Sequence, residues 1–305
     1  MGEKDKRKKE KGRERMYIAP NGVQQRYDNN PRIPLWVMGM SSGWKERTSR
    51  HGVFEGTGDN TIMGQTASQT RFIVKCKPDA GDGIKDLKLA LQRDYLDSPD
   101  DFMNVEVTGY VEILTTETGS KPVVFYGPTG RHPTIQPDQA IPEGCSGACY
   151  KGNLRFMNGR IAFAKENYHN IYSTLPDVVP SPADQAIVKA CNKTGRRVGF
   201  KWANFRYRVA QGEWVRRLEI WLDVGGAITY SEAPNNQWKL IAVQEDDGSF
   251  AWGQNMSGCG CPSNTQIISW GAPWVTYRTD NNDIKLSLCT VQEIIPPISD
   301  IGTVV

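Results

Sequence analysis

Apolar and polar residues alternate along most of this chain, the period of a strand buried on one face and open on the other. From Asn104 to Leu114, Val105, Val107, Val111 and Ile113 fall on one side, and Glu106, Thr108, Tyr110 and Glu112 on the other. Thr70 to Lys77 sets Phe72, Val74 and Cys76 against Arg71, Ile73 and Lys75. Similar runs predict strands at Leu35–Met38, Pro122–Tyr126, Trp238–Gln244, Gln266–Trp270 and Trp274–Thr279. A last strand, Asp283–Ile294, is stopped by Pro296-Pro297. Asp79 to Asp101 is two-sided: Leu87, Leu89 and Leu91 alternate, yet the charge density suits a short surface helix.

Two hairpins follow from turn chemistry. Asn158-Gly159 turns Tyr150 to His169 back on itself, pairing Lys151 with Glu166 and Leu154 with Phe163. Gly199 to Asp223 folds about Gln211-Gly212, which pairs Arg206 with Arg217, Asn204 with Glu219, and Trp202 with Trp221. Ala203, Phe205, Leu218, Ile220 and Leu222 then form a core face, and the other face mixes Trp, Arg, Asn and Glu. Flat rings beside hydrogen-bonding groups suit a sugar, whose C–H face stacks while its hydroxyls bond at the edge. The competing reading is that a second sheet or a loop covers that face. A one-residue shift in the turn regroups every residue named here.

One helix is expected, opened by Ser181-Pro182-Ala183-Asp184 and ending about Asn192. With 30 glycines, 18 prolines and no domain-sized linker, the 305 residues read as an all-β antiparallel sandwich with one short helix and long loops. Residues 1–43 form a basic arm and extended lead-in, and 44–305 a single domain.

Much of the net charge of +3 sits in Met1–Arg15, which has no apolar residue after Met1 and cannot join a core. It reads as a solubilising tail, or as an arm for nucleic acid or another anionic surface. No apolar run reaches the ~20 residues of a membrane span. The seven cysteines are Cys76, Cys145, Cys149, Cys191, Cys259, Cys261 and Cys289. Cys145 with Cys149 and Cys259 with Cys261 sit in tight loops, as disulfide staples do in an extracellular or particle-associated protein. A zinc site is the alternative, although C-x3-C with C-x-C departs from usual zinc spacings.

Taken in order, ACYKGNLRFMNGRIAFAKENYH, GFKWANFRYR, RRLEIWLD, NNQWK, IISWGAPWVTYRTD and DIKLSLCTVQEIIPP resemble concanavalin-A-like β-jelly rolls related to polysaccharide lyases. The resemblance spans Asn104 to Pro297. It implies a jelly-roll sandwich whose concave sheet holds a sugar chain, and in several such families elimination on uronic-acid polymers. The R-x-E-L-R and Q-I-H strands of the alginate-lyase type and the E-x-D-x-x-E signature of laminarinase-type hydrolases are absent. Glu219 and Asp223 would stand ~13 Å apart along a strand. Glycosidase carboxylate pairs lie at roughly 5–9.5 Å, which disfavours a hydrolase built on this pair.

Elimination needs a base and a cation or amide to stabilise the enolate-like charge, and no cofactor is required. Arg131, His132, Lys165, His169 and Tyr172 are the candidate catalytic set. Trp202, Asn204, Arg206, Arg217, Glu219, Trp221 and Arg278 are the candidate substrate-binding set. The turn at 280–283 supplies Asp280 and Asp283, hard oxygen ligands suited to Ca2+. The readings are therefore a polysaccharide-binding jelly roll with lyase chemistry, the same fold without catalysis, and a self-associating shell, appendage or adhesin subunit.

Overall fold

The computed structural model describes residues 17–41, 44–49, 53–57, 61–65, 69–75, 101–116, 123–129, 148–168, 171–209, 212–253, 264–265, 267–269, 271–272, 274–279 and 282–297. In chain order the elements begin with β1 (Trp36–Val37), β2 (Trp44–Ser49), β3 (Val53–Thr57), β4 (Thr61–Gln65) and β5 (Gln69–Lys75). Next come β6 (Val105–Thr116), β7 (Val123–Thr129), β8 (Cys149–Arg155), β9 (Arg160–Tyr168) and β10 (Ile171–Thr174). After α1 (Pro182–Ala190) follow β11 (Val198–Arg208), β12 (Trp214–Asp223), β13 (Trp238–Asp246), β14 (Trp274–Thr279) and β15 (Asn282–Glu293).

All ladders are antiparallel. One sheet runs β13-β12-β11-β6-β15-β4-β3, with β1 also on β15, and the other runs β10-β9-β8-β7-β14-β5-β2. This is the two-sheet sandwich that the alternation and the resemblance lead to. One continuous apolar core fills the space between the sheets, with Val107, Phe200, Trp202, Leu218 and Ile220 from the first facing Phe125, Leu154, Phe163 and Tyr277 from the second. The sheets approach closely at Gly152 on β8. A Cβ there would lie 2.6 Å from the Trp202 ring and 2.7 Å from Ile220, so only glycine fits. In α1, Ser181 caps the first turn through its hydroxyl, which accepts from Asp184 N at 3.2 Å. Lys239 ties Asp184 to β13 at 2.8 Å.

The β11–β12 register corrects the expected pairing by one residue. Trp202 stands opposite Ile220, Asn204 opposite Leu218, and Arg206 opposite Arg216. The cause is the turn. Val209 and Glu213 are the last bonded residues, and Gly212 holds a φ of 81° while its N–H closes on Val209 O at 2.8 Å. Three residues therefore separate the strands instead of two, and an odd shift moves one strand's side chains to the opposite face. The core face gains Trp202 and loses Ala203 and Phe205, which pack with Tyr27 and Ile294 on the outer side.

The β8–β9 register shifts by two, pairing Lys151 with Ala164 and Leu154 with Ile161. An even shift leaves each face intact, so Lys151 and Glu166, expected directly opposite each other, meet diagonally as an ion pair. The strand expected at Gln266–Trp270 is not one over its described part, Ile267–Ser269. There the backbone bonds to side chains instead: Ile268 N–H donates to the Tyr150 hydroxyl, and Arg206 donates to Ser269 O.

Cys149, Cys191 and Cys289 are buried and form no disulfide. The expected Cys145–Cys149 staple is therefore corrected, while Cys76, Cys145, Cys259 and Cys261 lie outside the described residues. No helix among the described residues is long and apolar enough to cross a membrane.

Candidate functional site

The outer face of the β11–β12 hairpin carries Lys201, Ala203 and Phe205 from one strand and Arg217, Glu219, Trp221 and Asp223 from the other. The N-terminal lead-in lies across it. Arg26 and Tyr27 donate their backbone N–H groups to the Glu106 carboxylate at 2.9 Å, and Gln292 and Lys201 complete its shell at the same distance. The Tyr27 hydroxyl donates to Glu219 at 2.5 Å, and the Arg26 guanidinium sits 5.0 Å from the Trp221 ring centroid. Glu219 also accepts from Trp221 Nε1 at 2.9 Å and from Arg217 Nε at 2.6 Å. Of the sequence-predicted binding set, Arg217, Glu219 and Trp221 thus do meet, but under the chain's own lead-in. Only Arg217 keeps substantial exposure, at 31 % of its side chain. The covered-face reading is the correct one for this hairpin.

Trp202 is fully buried between the sheets, which corrects its expected place on an exposed platform. Asn204 is buried beside it, donating to Gly127 O at 2.7 Å and accepting from Arg216 Nε at 2.5 Å. Lys165 is also inside the sandwich rather than at a surface site. It pairs with Asp246 at 2.7 Å, lies near the rings of Tyr150 and Trp252, and both charged partners are fully inaccessible. Burial lowers its pKa, an effect that Asp246 opposes.

The other expected residues fall elsewhere. Arg278 lies on the outer face of the second sheet, half-buried, on the strand face that also carries Thr276. Tyr126, Lys151 and Glu166 share that face on the adjoining strands, with Lys151 Nζ 5.2 Å from the Tyr126 ring. Tyr172 lies in β10 opposite Glu166. Asp283 is the second residue of β15 and half-buried, and no group of three or more His, Cys, Asp or Glu suited to a metal ion occurs among the described residues. Arg131, His132, His169 and Asp280 lie outside the described residues.

Arg206 lies at a concave part of the surface. Beyond the core, the end of the hairpin, the start of β6 and the end of β15 surround a cleft of about 500 Å3. That is within the ~300–1,000 Å3 of small-ligand sites. One wall is Trp214, with the guanidinium carbons of Arg206 and Arg208 each 4.4 Å from its ring centroid. The register explains this cluster, because Arg206, Arg208 and Trp214 all point to the side that Trp202 occupies further along the sheet. Arg208 is exposed and makes no ion pair with a carboxylate among the described residues. Asn104 Oδ1 accepts from Arg206 N at 2.9 Å and fixes that strand to the lead into β6.

Glu293 also lines the cleft. It is 3 % exposed, and its carboxylate accepts from Met103 N at 2.8 Å and Asn104 N at 3.1 Å. Burial pushes its pKa up to about 7, although the two N–H groups and the Arg216 and Arg32 charges pull the other way. Arg32, Asp101, Tyr207, Ile295, Pro296 and Pro297 are also part of the lining. Sequence reading found only Arg206 of this set. The available signal was the R-Y-R and W-V-R-R spacing either side of the turn, and a lone Glu within Val291–Ile294.

No family model and no curated protein matches the chain. Among solved structures it is similar to the exoplasmic/lumenal domain of VIP36 in its Ca2+-bound form, at 8 % identity and TM-score 0.44, covering 88 % of this chain and 93 % of that one. It is similar also to a Bacillus subtilis protein of unknown function with a galectin-like fold, at 11 % identity and TM-score 0.42, covering 88 % and 99 %. The PL-14 alginate lyase from Aplysia kurodai aligns at 9 % identity and TM-score 0.26, covering 73 % and 81 %.

Proposed function

We propose that the protein is a carbohydrate-binding jelly roll that takes an acidic, uronate-bearing chain at the Trp214 cleft. The observation that carries this reading is the pair of arginines stacked on Trp214, with Arg208 exposed and free of any carboxylate ion pair among the described residues. Stacking holds a guanidinium in one orientation, so little further ordering is needed when it forms a two-point hydrogen bond with a sugar carboxylate. Ile295, Pro296 and Pro297 offer an apolar wall for the C–H face of the ring.

Calorimetric titration with an oligogalacturonate and with a neutral cello-oligosaccharide tests the reading. The acidic chain should bind and the neutral one should not, and Arg208→Ala should weaken binding about tenfold, the ~1.4 kcal/mol of one charged hydrogen bond. Equal binding of both sugars, or of neither, would refute it. Lyase chemistry is the finer form of the proposal. Its candidate bases are His132 and His169, with Arg131 as the candidate cation, named from the sequence alone, and it is read by the ultraviolet absorbance of an unsaturated product. Any Ca2+ requirement is assigned to the 280–283 turn and is tested by repeating the titration with a chelator.

A further inference from the structure

Glu293 has a second property that the binding reading does not use. It is one of two carboxylates in the cleft lining, the other being Asp101, and it shares that lining with three arginines, Arg32, Arg206 and Arg208. Arg216 adds a buried charge from β12, donating to Met103 O at 2.9 Å. Tyr207, the remaining titratable group of the lining, is held protonated through neutral pH: burial first, and then its bond to Glu245, push it up to about 12. Glu293 is therefore a group of this lining whose charge changes near neutrality, since burial pushes its pKa up to about 7. Its ionised form opposes an incoming anion, and its neutral form removes that negative charge from the lining.

We propose that Glu293 is a proton-controlled gate of the cleft, admitting anionic chains when neutral and opposing them when ionised. The proposal rests on the cleft being the anion-binding site. Its geometry is specific to this carboxylate, because its bonds to Met103 N and Asn104 N fix it in the wall, and Asn104 in turn holds the backbone of Arg206. A change of one charge in the lining alters affinity roughly fivefold, the Coulomb effect of a unit charge ~8 Å away in a medium between the protein surface and bulk water.

The experiment titrates the full chain with oligogalacturonate at pH 6 and pH 8, where the sugar's own carboxylates stay ionised. In parallel, the amide signals of Met103 and Asn104 are followed by NMR without sugar. The wild type should bind about fivefold more tightly at pH 6. Glu293→Gln should bind equally at both values, near the wild-type level at pH 6. The two amides should titrate together with a midpoint near 7. Equal wild-type affinity at both pH values overturns the gate and leaves the binding reading standing. Absence of binding at either pH overturns both. Amides that do not titrate between pH 5 and 8 overturn the gate even if Glu293→Gln fails to fold.

Discussion

Trp202 and Trp221 lie in adjacent strands one register step apart and on opposite faces of their sheet: Trp202 faces Ile220, and Trp221 faces Lys201. The first ring is sealed against Gly152 and Phe163, the second lies under Arg26. Replacing Trp202 by Ala should cost ~3–5 kcal/mol in chemical denaturation, as for a core aromatic. Trp221→Ala should also destabilise, because it removes the covered ring and a donor to Glu219. A Trp202→Ala protein as stable as the wild type would contradict the register.

The Lys165–Asp246 pair should behave as a buried structural pair. Lys165→Met alone should destabilise by ~3–5 kcal/mol, since it leaves Asp246 charged and fully buried. Adding Asp246→Asn should recover part of that loss. Equal denaturation midpoints for the wild type and the single variant would show that the pair is not closed off from water.

The thiols give a third test. Burial pushes Cys191 up to about 12 and raises Cys289 above the usual thiol range. An alkylating reagent at pH 8 should leave Cys149, Cys191 and Cys289 unmodified in the native protein and modify all three in denaturant. Peptide mapping by mass spectrometry reads the outcome, and rapid native modification of Cys191 would contradict it.

Glu293 also predicts a pH dependence of stability. Its pKa is raised from 4.5 to about 7 on folding, so the unfolded state loses its proton first as pH rises. The stability tied to this proton is fully present below about 4.5 and is lost as pH climbs through about 7. Between pH 5 and 8 the wild type should lose on the order of 3 kcal/mol relative to Glu293→Gln. A difference that stays flat with pH, measured by denaturant titration, would rule this out.

Much of the fold was legible because alternation is a local signal. β14 occupies the predicted Trp274–Thr279, and β6, β13, β15 and α1 fall within two residues of their predicted ends. Register was not legible to the same degree. Nothing in Ala210-Gln211-Gly212-Glu213 distinguishes a two-residue from a three-residue loop, and that one residue decides which face holds Trp202. The site was scattered for the same reason. A set drawn on one face separated into buried Trp202 and Asn204, covered Glu219 and Trp221, and Arg206 at the cleft. The cleft itself joins residues about 260 positions apart, Arg32 with Glu293, which no local pattern connects.

The most direct measurement is NMR mapping of where an oligogalacturonate binds. The account predicts that the Trp214 indole N–H and the Arg206 and Arg208 guanidinium signals shift on titration, while the Trp221 indole and Arg217 signals stay fixed. Shifts confined to Trp221 and Arg217, with Trp214 unmoved, would contradict it.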